Sequence, residues 1–151
     1  SLRYPGIIGW KTLPGGGTTD YAVEIFHKAI NDKYYNCFLE ANTMLPLMYM
    51  EDAIKGTIDI MKADANQFKI RSSYNLSAIS FTPKEIADTI KEHIPEFVID
   101  YTPDFRQEIA NTWPNSIDDS RARSDWGWAP KFDLHDITEE MLFQLNKKIV
   151  H

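Results

Sequence analysis

Pro14-Gly15-Gly16-Gly17-Thr18-Thr19-Asp20-Tyr21 is the stretch on which the architecture turns. Three of the chain's seven glycines stand here in a row. Glycine loses the most backbone freedom on folding, so such a run marks a sharp turn or a close backbone approach. Thr18, Thr19 and Asp20 are all good helix N-caps. Ala22, Ile25, Phe26, Ala29 and Ile30 then recur on one helical face. The preceding Leu2-Arg3-Tyr4-Pro5-Gly6-Ile7-Ile8-Gly9 is apolar, β-branched and broken by Pro-Gly. It reads as a buried strand ending at a site-forming turn. A glycine loop that feeds a helix N-terminus offers amide N–H groups and hydroxyls to a carboxylate or phosphate. The loop alone also allows the plainer reading, a flexible turn with an ordinary cap.

Outward from this unit, helix and strand signals alternate. Residues 34–39 and 43–50 read as short strands, and Pro46 inside the second implies an edge or a bulge. Asp52 is expected to cap a helix whose apolar stripe is Ile54, Thr57, Ile58 and Met61. Residues 68–77 read as a strand. Thr82-Pro83-Lys84-Glu85 is a strong helix start, with Thr at the N-cap, Pro at the first position and Glu at the third. Ile86, Ile90 and Ile94 form its inner face. A strand over 97–101 follows, then a helix capped by Asp104 that stops before Pro114. Asp118 and Asp119 precede a short helix ending at Gly127. Leu134, Ile137, Met141, Leu142 and Leu145 mark a final amphipathic helix. The alternation predicts an α/β fold: the C-terminal remnant of a Rossmann-type parallel sheet plus a small α/β substrate-binding lobe.

Composition narrows the function classes. At 151 residues, with 43% hydrophobic and 13% aromatic content, the chain supports one globular core. A net charge of −6 argues against nucleic acid as a partner, which requires a basic patch. The longest apolar runs fall far short of a bilayer span, so no membrane partner is expected. The single cysteine, Cys37, excludes an internal disulfide and fits a cytoplasmic or organelle-matrix setting. Cys37 sits in an alternating stretch and reads as core. His27, His93, His135 and His151 have no ligand spacing, so no metal is expected. Asp118 and Asp119 read as capping carboxylates favoured by the helix dipole. Trp126 and Trp128 read as core. Trp113 stands at a Trp-Pro break and is read as either a pocket wall or a core side chain. Arg71 and Arg106, each next to an apolar residue, read as buried structural ion-pair cations or as ligand contacts, with the structural reading favoured.

The motifs together carry a resemblance. Arg3-Tyr4-Pro5-Gly6-Ile7-Ile8 and Pro14 to Val23 are joined by Leu45-Pro46-Leu47-Met48-Tyr49-Met50-Glu51-Asp52-Ala53. Further on stand Ile70-Arg71-Ser72-Ser73-Tyr74-Asn75-Leu76, Ser80-Phe81-Thr82-Pro83, Asp104-Phe105-Arg106-Gln107, Trp113-Pro114, Ser116 to Ser120 and Asp125-Trp126-Gly127-Trp128. Over essentially its whole length the chain resembles the second half of the L-threonine 3-dehydrogenases of the extended short-chain dehydrogenase type, relatives of the NAD-dependent epimerases and dehydratases. Members of that family also carry a Gly-x-x-Gly-x-x-Gly loop and a catalytic Tyr-x-x-x-Lys pair. Neither pattern occurs in this chain.

The resemblance implies a C-terminal part that contributes no catalytic acid or base. It divides the single unit, 1–151, into Rossmann-sheet strands near 1–10 and 68–80 and substrate-lobe elements near 11–67 and 97–130. It implies NAD as cofactor, with Tyr4, Pro5, Gly6 and Ile7 against the nicotinamide, and L-threonine or a similar small amino acid as substrate. Gly17, Thr18 and Thr19 would hold the carboxylate, and Trp113 would wall the pocket. The implied partners are an N-terminal Rossmann half and a second copy in a homo-oligomer. Those partners would cover Leu2, Tyr4, Ile7 and Ile8, taken as one central strand. The implied location is the cytoplasm, or the mitochondrial matrix in a eukaryote. Two other readings stay open: part of a nucleotide-sugar epimerase or dehydratase, and a catalytically silent interaction module.

Overall fold

The computed structural model describes residues 1–150, the Val150 side chain excepted; His151 lies outside the described residues. The fold is mixed α/β, with parallel strand pairs and six α-helices among the described residues. The first strand signal splits in two. Leu2–Arg3 (β1) and Gly6–Ile8 (β2) flank the Tyr4-Pro5 break and enter different sheets. Proline offers no N–H to a ladder, and a chain broken there is free to change partners. The expected single strand is therefore corrected to two. Ile8 is fully buried within this chain itself, whereas Leu2 and Ile7 are half-buried and Tyr4 is exposed.

Helix α1 (Tyr21–Asn31) buries Tyr21, Ala22, Val23, Ile25, Phe26 and Ala29, the face expected from its spacing. Strand β3 (Tyr34–Cys37) follows, then β4 (Leu45–Tyr49). Strand β4 is wholly buried and lies at the centre of a three-stranded sheet, parallel to β2 and antiparallel to β6 (Ile79–Phe81). The expectation that Pro46 marks an edge or bulge is thus corrected. Pro46 faces Ser80 on β6, while the β2 ladder begins one residue later at Leu47, so the missing N–H breaks no pairing on that side.

Helix α2 (Met50–Lys62) begins two residues before Asp52, and Asp52 does not cap it. Its carboxylate is fully buried and accepts from the Lys131 and Phe132 N–H groups at 2.8 and 3.1 Å, tying α2 to the segment before α6. The stripe expected to face inward faces outward: Ile54, Ile58 and Met61 are 51%, 43% and 78% exposed. Small residues, Ala53 and Gly56, occupy the inner face instead.

Residues 68–77 form no continuous strand. A 3₁₀ turn (Ala65–Gln67) leads to β5, only Tyr74–Asn75, paired in parallel with β1. Helix α3 (Pro83–His93) starts as expected: Thr82 accepts from the Glu85 N–H, and Glu85 accepts from the Thr82 N–H. Strand β7 (Val98–Tyr101) pairs in parallel with β3. Helices α4 (Phe105–Asn111), α5 (Ser120–Trp126) and α6 (Leu134–Val150) complete the chain.

Two apolar clusters result. The larger packs α1, α3 and α6 against β3 and the three-stranded sheet, with Cys37, Ile86, Ile90, Met141 and Leu145 inside. The Thr89 and Thr138 hydroxyls meet at 2.7 Å across α3 and α6, satisfying each other where no water reaches. The smaller cluster gathers Met48, Tyr74, Leu76, Trp126 and Trp128. Asp119 anchors it, accepting from Trp128 Nε1 at 3.0 Å and Arg123 Nε at 2.8 Å. Only Asp118 of the acidic pair caps α5, through the Ser120 N–H. No helix among the described residues is long and apolar enough to cross a membrane.

Candidate functional site at the glycine loop

Strand β2 and the 14–20 loop converge at Gly6. A Cβ placed on Gly6 would lie 2.7 Å from both Thr19 Cγ2 and Leu47 Cδ2. Real Cβ atoms do not approach so closely, so only glycine lets the loop seat against the strand. Two groups of candidate residues, one on the strand and one on the loop, are therefore in direct contact.

The loop's own shape comes from Asp20. The N-cap position of α1 is Asp20, yet its side chain does not bond forward into the helix. It turns back, and Oδ2 accepts from the Gly15 N–H at 2.8 Å and the Gly17 N–H at 2.9 Å. Between them Gly16 takes φ +92°, a conformation that side chains beyond glycine rarely adopt. The Asp20 N–H closes the turn on the Gly17 carbonyl at 3.1 Å. Gly17 thus donates its N–H internally, while the hydroxyls of buried Thr18 and half-buried Thr19 take no part in this network.

A second charged residue reaches the loop from α4. Arg106 Nη1 donates to the Gly16 carbonyl at 3.2 Å. Its Nε and Nη2 grip Asp104 at 3.1 and 2.6 Å, and its guanidinium lies 3.3 Å from the Phe38 ring centre. Asp104 also caps α4, accepting from the Arg106 N–H at 2.8 Å. The guanidinium beside Asp104 holds that carboxyl below the usual range. The expected structural ion pair of Arg106 is present. Its bond to the glycine loop, 90 residues away in sequence, is not visible in any local pattern.

Cavities lie on both sides of the loop, and Pro14 lines both. One, of about 570 Å³, is walled by Ile7, Trp10, Leu13, Val23, Tyr49, Met50 and Ile54, with Lys11, Asp20 and Glu51 at its rim. The other, of about 680 Å³, is walled by Gly15, Gly16, Glu24, Tyr35, Phe38, Asp104 and Arg106. Burial raises the Tyr35 phenol and pushes the Cys37 thiol behind it up to about 11, so neither is a poised nucleophile or base.

The structure brings together only some of the candidates. Gly6 and Thr19 touch, Ile7 lines the 570 Å³ cavity, and Gly17 and Thr18 belong to the same loop. Pro5 is half-buried beside them. Tyr4 turns towards α2, its hydroxyl bonded to the Thr57 hydroxyl. Trp113 follows the C-terminal end of α4, 38% exposed, and lines neither cavity beside the loop.

No family model matches the chain. The chain is 52% identical to L-threonine dehydrogenase from Phytophthora infestans, whose crystal structure superposes with a TM-score of 0.95 over 97% of this chain and 48% of that one. In sequence and fold, the chain matches the C-terminal half of the GalE-like L-threonine dehydrogenases. The mitochondrial L-threonine 3-dehydrogenase of Bos taurus is 49% identical over 142 residues, 93% of this chain and 38% of that protein. An uncharacterized epimerase/dehydratase of Staphylococcus aureus is 47% identical over 98% of this chain and 46% of that protein. The chain therefore spans less than half the length of these curated threonine dehydrogenase and epimerase/dehydratase relatives.

Proposed function

We propose that this chain supplies the amino-acid-positioning part of an NAD-dependent L-threonine 3-dehydrogenase, which converts threonine to 2-amino-3-oxobutanoate. The observation that carries the reading is the contact between Gly6 and Thr19. It brings Gly6, within the stretch assigned to the cofactor, against Thr19 of the loop assigned to the amino acid. The named threonine dehydrogenase relatives support the activity proposed for the whole protein. The apolar walls of the 570 Å³ cavity, with Ile7 among them, suit a flat ring such as nicotinamide. When bound, NAD would accept hydride from the threonine β-carbon.

The chain's own contribution is placement. The Ile7 backbone would touch the carboxamide. The Thr19 hydroxyl, joined by Thr18, would donate to the substrate carboxylate at the N-terminal end of α1, where the helix dipole favours negative charge. Holding the two reactants in one geometry removes much of the entropic part of the barrier. No catalytic acid or base is assigned to this chain. The reading goes with a Rossmann half and a second copy as partners, and with a cytoplasmic or mitochondrial-matrix setting. A nucleotide-sugar diphosphate finds less support: of the two cations beside the loop, Lys11 and Arg106, the second is engaged by Asp104 and Gly16.

The test uses full-length protein carrying this sequence. Thr19→Val keeps the packing on Gly6 and removes the hydroxyl. It should cost threonine use about 1–3 kcal/mol, the loss of one hydrogen bond to a charged group. NAD affinity should stay level, and Thr19→Ser should restore threonine kinetics. Collapse of NAD binding with threonine kinetics untouched would show that the loop serves the other ligand.

A further inference from the structure

Asp20 and Arg106 hold the glycine loop from opposite sides by bonding its backbone. Asp20 takes the two N–H groups that flank Gly16, at 2.8 and 2.9 Å. Arg106 donates to the carbonyl between them, at 3.2 Å. Both contacts lie at the surface, and both engage backbone groups of the loop itself. The Asp20 carboxylate sits where a bound anion would sit in a turn of this type, so it acts as a built-in ligand of the loop amides. Arg106 is itself fixed in three directions, by Asp104, by the Phe38 ring and by the Gly16 carbonyl. Two consequences follow. The Gly15 and Gly17 N–H groups are already occupied, which leaves recognition of a substrate carboxylate to the Thr18 and Thr19 end of the loop. And a loop containing three successive glycines, which on its own would sample many conformations, is held in one.

We propose that Asp20 and Arg106 are positioning residues that set the loop so that Thr19 meets the substrate carboxylate, although neither touches the substrate. The inference rests on the function proposed above. It makes the preorganisation of the loop, rather than its composition, the source of threonine affinity. Arg106 further ties the loop to the β7–α4 junction, so the substrate end of the site is braced by an element far along the chain.

The test uses full-length protein carrying Asp20→Asn, Arg106→Ala and Arg106→Lys, with two readouts. The first is hydrogen exchange at the Gly15 and Gly17 amides, which needs no activity. Asp20→Asn should speed it at least tenfold, because a neutral amide oxygen is a weaker acceptor than a carboxylate. The second is steady-state kinetics. Asp20→Asn and Arg106→Ala should each raise KM for L-threonine about tenfold with kcat within about twofold, the mark of lost uniform binding. The KM for NAD should be unchanged, and Arg106→Lys should recover part of the loss. Unchanged exchange at both amides, or an unchanged threonine KM in both Asp20→Asn and Arg106→Ala, would overturn the proposal. So would an equal fall in kcat, NAD affinity and melting temperature, which would mark a purely structural role. If wild-type protein does not oxidise threonine, the functional reading fails, while the exchange data still decide whether the side chains hold the loop.

Discussion

Helices α2 and α3 carry almost the same pattern and do opposite things with it. Each has an isoleucine-rich stripe at helical spacing, yet α3 buries Ile86 and Ile90 completely, while α2 leaves Ile54 and Ile58 about half exposed. The difference lies in what each helix meets. Helix α3 packs on α1 and α6, whose large side chains need a broad apolar partner. Helix α2 lies close over β4 and the tryptophan cluster, where a Cβ on Gly56 would come 2.7 Å from Leu76 and 3.0 Å from Trp128. Only small residues fit that face, so the bulky ones turn out. Periodicity identifies two faces of a helix; which one is buried depends on the room available beneath it.

Four substitutions separate the helices. Ile90→Ala on α3 should destabilise the chain by about 2–5 kcal/mol in denaturant unfolding, the cost of an emptied core position; a loss under about 1 kcal/mol would mean that the α1–α3–α6 core is loosely packed. Asp52→Ala strips the part-buried Lys131 and Phe132 N–H donors of their acceptor and should cost about 2 kcal/mol. That result would show that a polar anchor, rather than the apolar stripe, holds α2 in place. Thr82→Ala removes the α3 cap and should cost about 1 kcal/mol. Ile58→Ala should cost no more than about 0.5 kcal/mol, in keeping with an exposed site; a loss near that of Ile90→Ala would show the α2 stripe to be covered in solution.

The smallest effect concerns pH. His27 on α1 has its pKa lowered, first by burial and then by Lys148. The unfolded chain therefore takes up this proton at a higher pH than the folded one. Stability from this group is complete above the ordinary value of 6.5 and is lost as pH falls below it. His27→Gln should flatten the acid limb of the melting curve below about pH 6.5. An unchanged limb would show that the α1 side of the core admits water.

The local signals carried much of the fold. The capping box at Thr82, the Asp104 cap, the α1 face and the burial of Cys37, Trp126 and Trp128 were all legible, because each depends on neighbours within a turn or on side-chain chemistry alone. Strand extents were not. The pairing of β1 with β5, and the central place of β4 despite Pro46, depend on partners tens of residues away. The candidate site divides in the same way. The glycine loop stands out in the sequence, but the internal role of Asp20 looks like ordinary capping, and the approach of Arg106 has no local signature. Trp113 is visible as a Trp-Pro break, yet its place in the fold is set by the far end of α4.

On the proposed function, the loop beside Gly6 recognises a carboxylate. The most direct measurement compares kcat/KM for L-threonine with that for 1-aminopropan-2-ol, which lacks only the carboxylate, in full-length wild-type and Thr19→Val protein. Wild-type protein should strongly prefer threonine, and that preference should fall about tenfold or more in the variant, almost entirely through threonine. An identical ratio in the two proteins would contradict that role of the loop.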